Sequence, residues 1–178
     1  MPRANTACFT GHRPQKLDLA CGSDPQKLSE LRHRLQNKIL TAIEDGYTTF
    51  LCGMAQGVDI WAGEIVLSLR EVFHDIRLIA VLPYPGMGKG WKPDWNQRLN
   101  KILRLSDEII VLYPGYHRGC FVQRDRFLVD QSSRVIGILI EGSSGGTAYT
   151  VQYAEQKNRE LDLILLPPIL DSGAVSLS

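Results

Sequence analysis

The sequence predicts an α/β fold, with helices on both faces of a mostly parallel sheet. Short apolar or β-branched runs alternate with longer stretches of helical period along the 178 residues, as repeated strand–helix–strand crossovers do. Runs such as Leu78-Ile79-Ala80-Val81-Leu82 are apolar without a break, the mark of strands buried on both sides. Together these describe a Rossmann-like three-layer sandwich in a single domain.

Strands are expected at Ala7–Thr10, Thr48–Cys52, Leu78–Leu82, Ile109–Leu112, Val135–Ile140 and Leu163–Leu166. Helical period covers about 25–45, 58–73, 93–105, 120–132 and 147–158. The first helix places Leu28, Leu31, Leu35, Ile39 and Ile43 on one face, opens on Asp24-Pro25 and stops at Gly46, in line with capping preferences at both ends. The domain is expected over residues 1–166, with 167–178 as a flexible C-terminal tail after Pro167-Pro168.

Composition narrows the function classes. Hydrophobic residues at 44% and charged residues at 22% are near the globular average, which excludes wholesale disorder. Twenty basic against 19 acidic side chains leave a net charge of +1, which speaks against nucleic acid as a partner held by bulk charge. No apolar run approaches the ~20 residues of a membrane helix, and the first residues lack a leader's apolar stretch. Cys8, Cys21, Cys52 and Cys120 show no paired spacing, so reduced thiols in a cytoplasmic protein are expected. His12, His33, His74 and His117 are scattered, without the spacing of a metal site.

In open α/β sheets ligands collect beyond the carboxyl ends of the strands, where helix N-termini favour anions. Three strand-ends carry more than capping requires. After the first strand come Thr10, Gly11, His12, Arg13 and Pro14: a glycine for close approach, an imidazole able to donate, and an arginine fork suited to phosphate. After the second, Gly53 and Gly57 bracket a loop holding Gln56 and leading to Asp59. Asp59 is either a helix cap or an acceptor for ribose hydroxyls. After the fifth, Gly145 and Gly146 precede Thr147 and Thr150, whose hydroxyls are placed to share one helix start. Glu64 lies five residues beyond Asp59 and, with it, is a weak catalytic candidate. The Gly-rich loop from Tyr84 to Trp91 is suited either to base stacking or to a mobile surface.

Four segments taken in order, Phe9–Pro14, Gly53–Asp59, Arg124–Asp130 and Gly145–Thr150, resemble the SLOG superfamily of SMF/DprA and LOG-like proteins, most closely its YpsA-like branch. The resemblance spans about residues 6–166 and implies a domain that binds a nucleotide or nucleotide-derived ligand of the NAD or ADP-ribose type. It further implies a sensor or regulator linked to bacterial cell division, with no required cofactor, and pairing into a homodimer. The LOG enzymes cleave the N-glycosidic bond of nucleoside monophosphates through a PGGxGTxxE motif, whose glutamate falls here on Gln152 or Thr150, and Ser144 stands at its proline. An N-ribohydrolase would therefore have to recruit Asp59, Glu64 or Glu155, so binding without turnover is the leading expectation. A third is a DprA-like single-strand DNA binder using the Arg118–Arg134 region.

Overall fold

The structure, a computed structural model, describes residues 3–169. Its strands are β1 (Thr6–Gly11), β2 (Thr49–Cys52), β3 (Arg77–Leu82), β4 (Glu108–Val111), β5 (Arg134–Ile140) and β6 (Glu160–Leu166). They form one parallel sheet in the order β4-β3-β2-β1-β5-β6. The chain steps outward from β1 to β4 and then returns to the other side of β1, where Cys8 stands opposite Val135 of β5 and Leu51 of β2. Loops leaving β1 and β5 therefore diverge onto opposite faces, which opens a crevice at the carboxyl ends of those two strands.

The helices are α1 (Pro14–Ala20), α2 (Pro25–Glu44), α3 (Val58–Leu69), α4 (Pro93–Leu105), α5 (Cys120–Asp130) and α6 (Gly146–Gln156). One face of the sheet packs against α1 to α4 in a core that includes Phe9, Leu17, Leu35, Ile39, Phe50 and Ile102. On the opposite face α5 and α6 cover Cys8, Leu51, Ile79 and Val135 with Leu128, Val129 and Ala154. Phe9 and Phe50 stack at 5.9 Å between ring centroids on neighbouring strands, joining β1 to β2 by side chains as well as by the ladder.

The expected elements are all present, with shifted ends. Asp24 caps α2, its carboxylate accepting from the Gln26 amide at 2.9 Å, and Leu31, Leu35, Ile39 and Ala42 form the buried stripe. Two differences stand out. The short helix α1 replaces the loop expected after Pro14; it has seven residues and one buried apolar side chain, Leu17, too little period to register as a helix. The strand expected at Ile109–Leu112 runs from Glu108 to Val111 and is an edge strand, with Ile109 and Val111 nearly half exposed. Among the described residues no helix is long and apolar enough to cross a membrane, and all four cysteines are free and buried. Most of the expected C-terminal tail, from residue 170 on, lies outside the described residues.

Leu35 is fully buried beneath α2. Its replacement in Leu35→Ala is expected to cost about 2–5 kcal/mol of unfolding free energy. Urea denaturation checks this, and an unchanged midpoint would contradict its place in the core.

Candidate functional site

At the crevice lies a cleft of about 210 Å³. Thr10, Gly11, His12, Arg13 and Lys16 line it from β1 and the start of α1, while Ala55 and Asp59 line it from the turn into α3. Phe121, Arg124 and Asp125 of α5 form another side, and Ser144, Gly145, Gly146 and Thr147 close it at the start of α6. Of the residues selected from sequence, Thr10, Gly11, His12, Arg13, Asp59, Gly145, Gly146 and Thr147 thus come together. Gly53, Gln56, Gly57 and Thr150 do not line the cleft, and Glu64 is elsewhere.

The first loop is held by His12. Its Nε2 accepts the Ile140 amide at 3.0 Å, which ties the end of β1 to the end of β5. Accepting there places the ring proton on Nδ1 in the neutral form. Burial, with Lys16 nearby, lowers the His12 pKa to about 4. The imidazole is thus a neutral latch across the switch point, with Nδ1–H as its remaining donor. Lys16 donates to the Ser144 carbonyl at 3.0 Å and fastens α1 to the approach of α6. Arg13 is exposed, and its guanidinium has no ion pair among the described residues.

The second loop is shaped by contacts behind the cleft wall. Arg124 is buried, with its Nε donating to Asp125 Oδ1 at 2.7 Å and its Nη1 donating to the Gly53 carbonyl. A Cβ on Gly53 would sit 2.6 Å from that Nη1, so glycine here admits a guanidinium, not a ligand. Gly57 has φ +99°, and a Cβ on it would lie 2.3 Å from the His12 carbonyl, so this glycine seats the second loop against the first. Asp59 falls in the first turn of α3 and turns back to accept the Ala55 amide at 3.2 Å. Burial raises its pKa to about 6 against the pull of Arg124. Burial also raises the pKa of Asp125, against the pull of Arg124.

At the third loop Gly145 has φ +108° and α6 begins without a side-chain cap. Helices α3 and α5 likewise start after glycines, Gly57 and Gly119, with no side-chain cap. The α6 amides facing the cleft are therefore not spent on a capping side chain. Thr147 is at the cleft, whereas the Thr150 hydroxyl lies back against the Gly146 carbonyl at 2.7 Å. Gln152, the other position at which a LOG-type glutamate falls, is exposed on α6.

Glu64 belongs to a separate and larger groove, about 930 Å³, between α2, α3 and α4. There it pairs with Arg98 at 2.6 Å and Arg32 at 3.0 Å, which leaves it no role in the cleft. The basic stretch Arg118–Arg134 is not one surface. Arg118 and Arg126 are exposed, Arg124 is internal, and Arg134 is buried at the amino end of β5 against Asp45 and Glu160. Sequence reasoning assigned no role to Lys16, Phe121 or Asp125. Among the described residues no group of three metal-binding side chains occurs.

The sequence profile of the YspA SLOG family matches residues 7–166. A UPF0398 protein of Bacillus licheniformis is 23% identical over 170 residues, 94% of this chain and 92% of the relative. A UPF0398 protein of Lysinibacillus sphaericus is 22% identical over 160 residues, 89% of each. The structure of DNA processing protein A from Helicobacter pylori, described for its single-stranded DNA binding mode, superposes with a TM-score of 0.56 at 18% identity. The superposition covers 89% of this chain and 64% of that one, so the chain spans less than two thirds of that protein. This neighbour overturns the expectation against nucleic acid as a partner. The physical reason is that net charge is a sum over the whole chain and does not describe one surface: Arg13 and Lys16 both line the cleft, whatever the balance elsewhere.

Two outcomes follow. Gly53→Ala is expected to displace the Arg124 guanidinium and cost about 1–3 kcal/mol as overpacking, read as a lowered denaturation midpoint. The pH dependence has two opposed parts. The contribution of neutral His12 is full above pH 6.5 and is lost as pH falls toward about 4. The contribution of protonated Asp59 is full below pH 3.8 and is lost as pH rises through about 6. Asp59→Asn removes the second part, so its melting temperature should climb more steeply from pH 4 to 6.5 than that of the unsubstituted protein. Equal slopes would contradict the placement of Asp59.

Proposed function

The chain belongs to the YspA SLOG family, and we propose that its cleft binds the phosphate and ribose of a nucleotide or nucleotide-derived ligand of the NAD or ADP-ribose type, as a sensor and not as a catalyst. The observation that carries this reading is the convergence of the unpaired Arg13 and the uncapped start of α6 on one cleft. A guanidinium fork and free helix amides are both suited to phosphate oxygens. The carboxylates Asp59 and Asp125 are acceptors on the α3 and α5 sides, suited to sugar hydroxyls. Binding is favoured over hydrolysis because the α6 position of a LOG-type glutamate offers only Thr150 or Gln152 and because Glu64 is held in ion pairs.

A second reading, in which the nucleotide is part of a single strand of DNA, is favoured by the likeness to DNA processing protein A. The same phosphate-binding groups serve either source, so ligands separate them.

Isothermal titration against AMP, ADP-ribose, NAD and a short single-stranded oligonucleotide tests both. Micromolar to millimolar binding of a mononucleotide or dinucleotide is expected, with Arg13→Ala weakening it by roughly ten- to hundredfold, as loss of a charge-assisted hydrogen bond implies. Binding of the oligonucleotide alone, with affinity falling steeply as salt rises, would replace the first reading by the second. No binding of any of them at millimolar concentration would end both, and free base released from AMP would end the claim of binding without turnover.

A further inference from the structure

A cleft of about 210 Å³ is smaller than the roughly 300–1,000 Å³ that encloses a drug-sized ligand. A nucleotide anchored there by its phosphate and ribose leaves its base outside. One wall of the cleft continues outward as aromatic rings. Phe121, at the start of α5, lines the cleft itself. Tyr84, just past the end of β3, meets Phe121 edge-to-face at 6.0 Å and Tyr116 edge-to-face at 5.7 Å. Tyr116, in the loop between β4 and α5, is 68% exposed.

We propose that Phe121, Tyr84 and Tyr116 form a base-stacking wall that takes the nucleobase of the ligand whose phosphate sits in the cleft. The proposal rests on the phosphate-site reading above. Three observations carry it. The rings form a continuous series that begins at the cleft and ends in solvent. Their mutual contacts are edge-to-face, so the three rings are not stacked face to face on one another, and the Arg124 guanidinium lies over Phe121 at 5.9 Å. Nor are the two tyrosine hydroxyls engaged by hydrogen bonds among the described residues. Two tyrosines of α6 differ on this point: the Tyr149 hydroxyl accepts from Arg126, and the Tyr153 hydroxyl donates to Asp130 at 3.1 Å. Half-buried Phe121 and Tyr84 lead from a phosphate-suited cleft to the exposed ring of Tyr116, a series of the kind that base stacking uses, and stacking tolerates any base because every base has a π-face.

The base comes either from a free nucleotide or from a strand, and the test separates the two. Ribose 5-phosphate, AMP and a ten-residue oligo-dT are titrated into the unsubstituted protein, Tyr116→Leu, Tyr84→Leu and the conservative Tyr84→Phe. AMP is expected to bind more tightly than ribose 5-phosphate by roughly five- to hundredfold, the range for one stacked base. Tyr84→Leu and Tyr116→Leu should erode that advantage without changing the affinity for ribose 5-phosphate, and Tyr84→Phe should keep it. Loss confined to the oligonucleotide also supports the wall and assigns it to a strand. If the leucine variants leave oligonucleotide binding unaffected, then equal binding of AMP and ribose 5-phosphate, or an AMP advantage that survives both variants, overturns the wall and leaves the phosphate site standing. If none of the three ligands binds the unsubstituted protein, the phosphate site and the wall fall together. Tyr116 is largely exposed, so Tyr116→Leu keeps the test clear of misfolding.

Discussion

The cleft depends on a buried cation. Arg124 lies in the interior beside Asp59 and Asp125, with its guanidinium on the Gly53 carbonyl. A charge removed from water costs several kcal/mol unless it is paired and its donors are met, so this one arginine fixes the surroundings. It needs a bare backbone at Gly53, a carboxylate beside it on its own helix and a second across the cleft on α3. The β2 loop, α3 and α5 are thereby held in one mutual arrangement. Removing either carboxylate would leave the guanidinium short of a partner, which is a larger disturbance than losing a surface charge.

Around that cation the fold separates two kinds of chemistry. The α6 start and Arg13 offer donors, whereas Asp59 and Asp125 offer acceptors. His12 belongs to neither group. It holds the ends of β1 and β5 together from the neutral side of its titration. The switch point is thus built with a latch that carries no charge, and the positive field facing a ligand comes from Arg13, Lys16 and backbone amides.

Much of this was legible in the sequence, where one short stretch of chain carries its own evidence. The α2 stripe and its Asp24 cap follow from spacing alone, and the unbroken run of β3 announced burial on both faces. The three loops were found because glycine and phosphate-suited residues follow strand patterns directly. What stayed hidden depends on distant partners. Arg124 looked like part of a basic stretch, and nothing local says that its side chain turns inward to a β2 carbonyl. Asp125 carries no local sign of the buried arginine it pairs with. His12 has the composition of a phosphate donor, and only the Ile140 amide reveals its other use. Tyr84, Tyr116 and Phe121 come from three segments that sequence order keeps apart. Helix α1 fails for a simpler reason, since two turns hold too few apolar positions to show a period.

The Asp59 carboxyl, with a pKa of about 6, gives the cleft a charge that is not fixed. Near neutrality its proton is within reach of small changes in local potential, and an anion beside it would make that potential more negative and favour the protonated carboxyl. On the proposed reading, occupancy and proton uptake are linked: a phosphate entering the cleft would draw a fraction of a proton from the buffer. The heat evolved on filling the cleft would accordingly carry the ionisation enthalpy of whatever buffer supplied that proton.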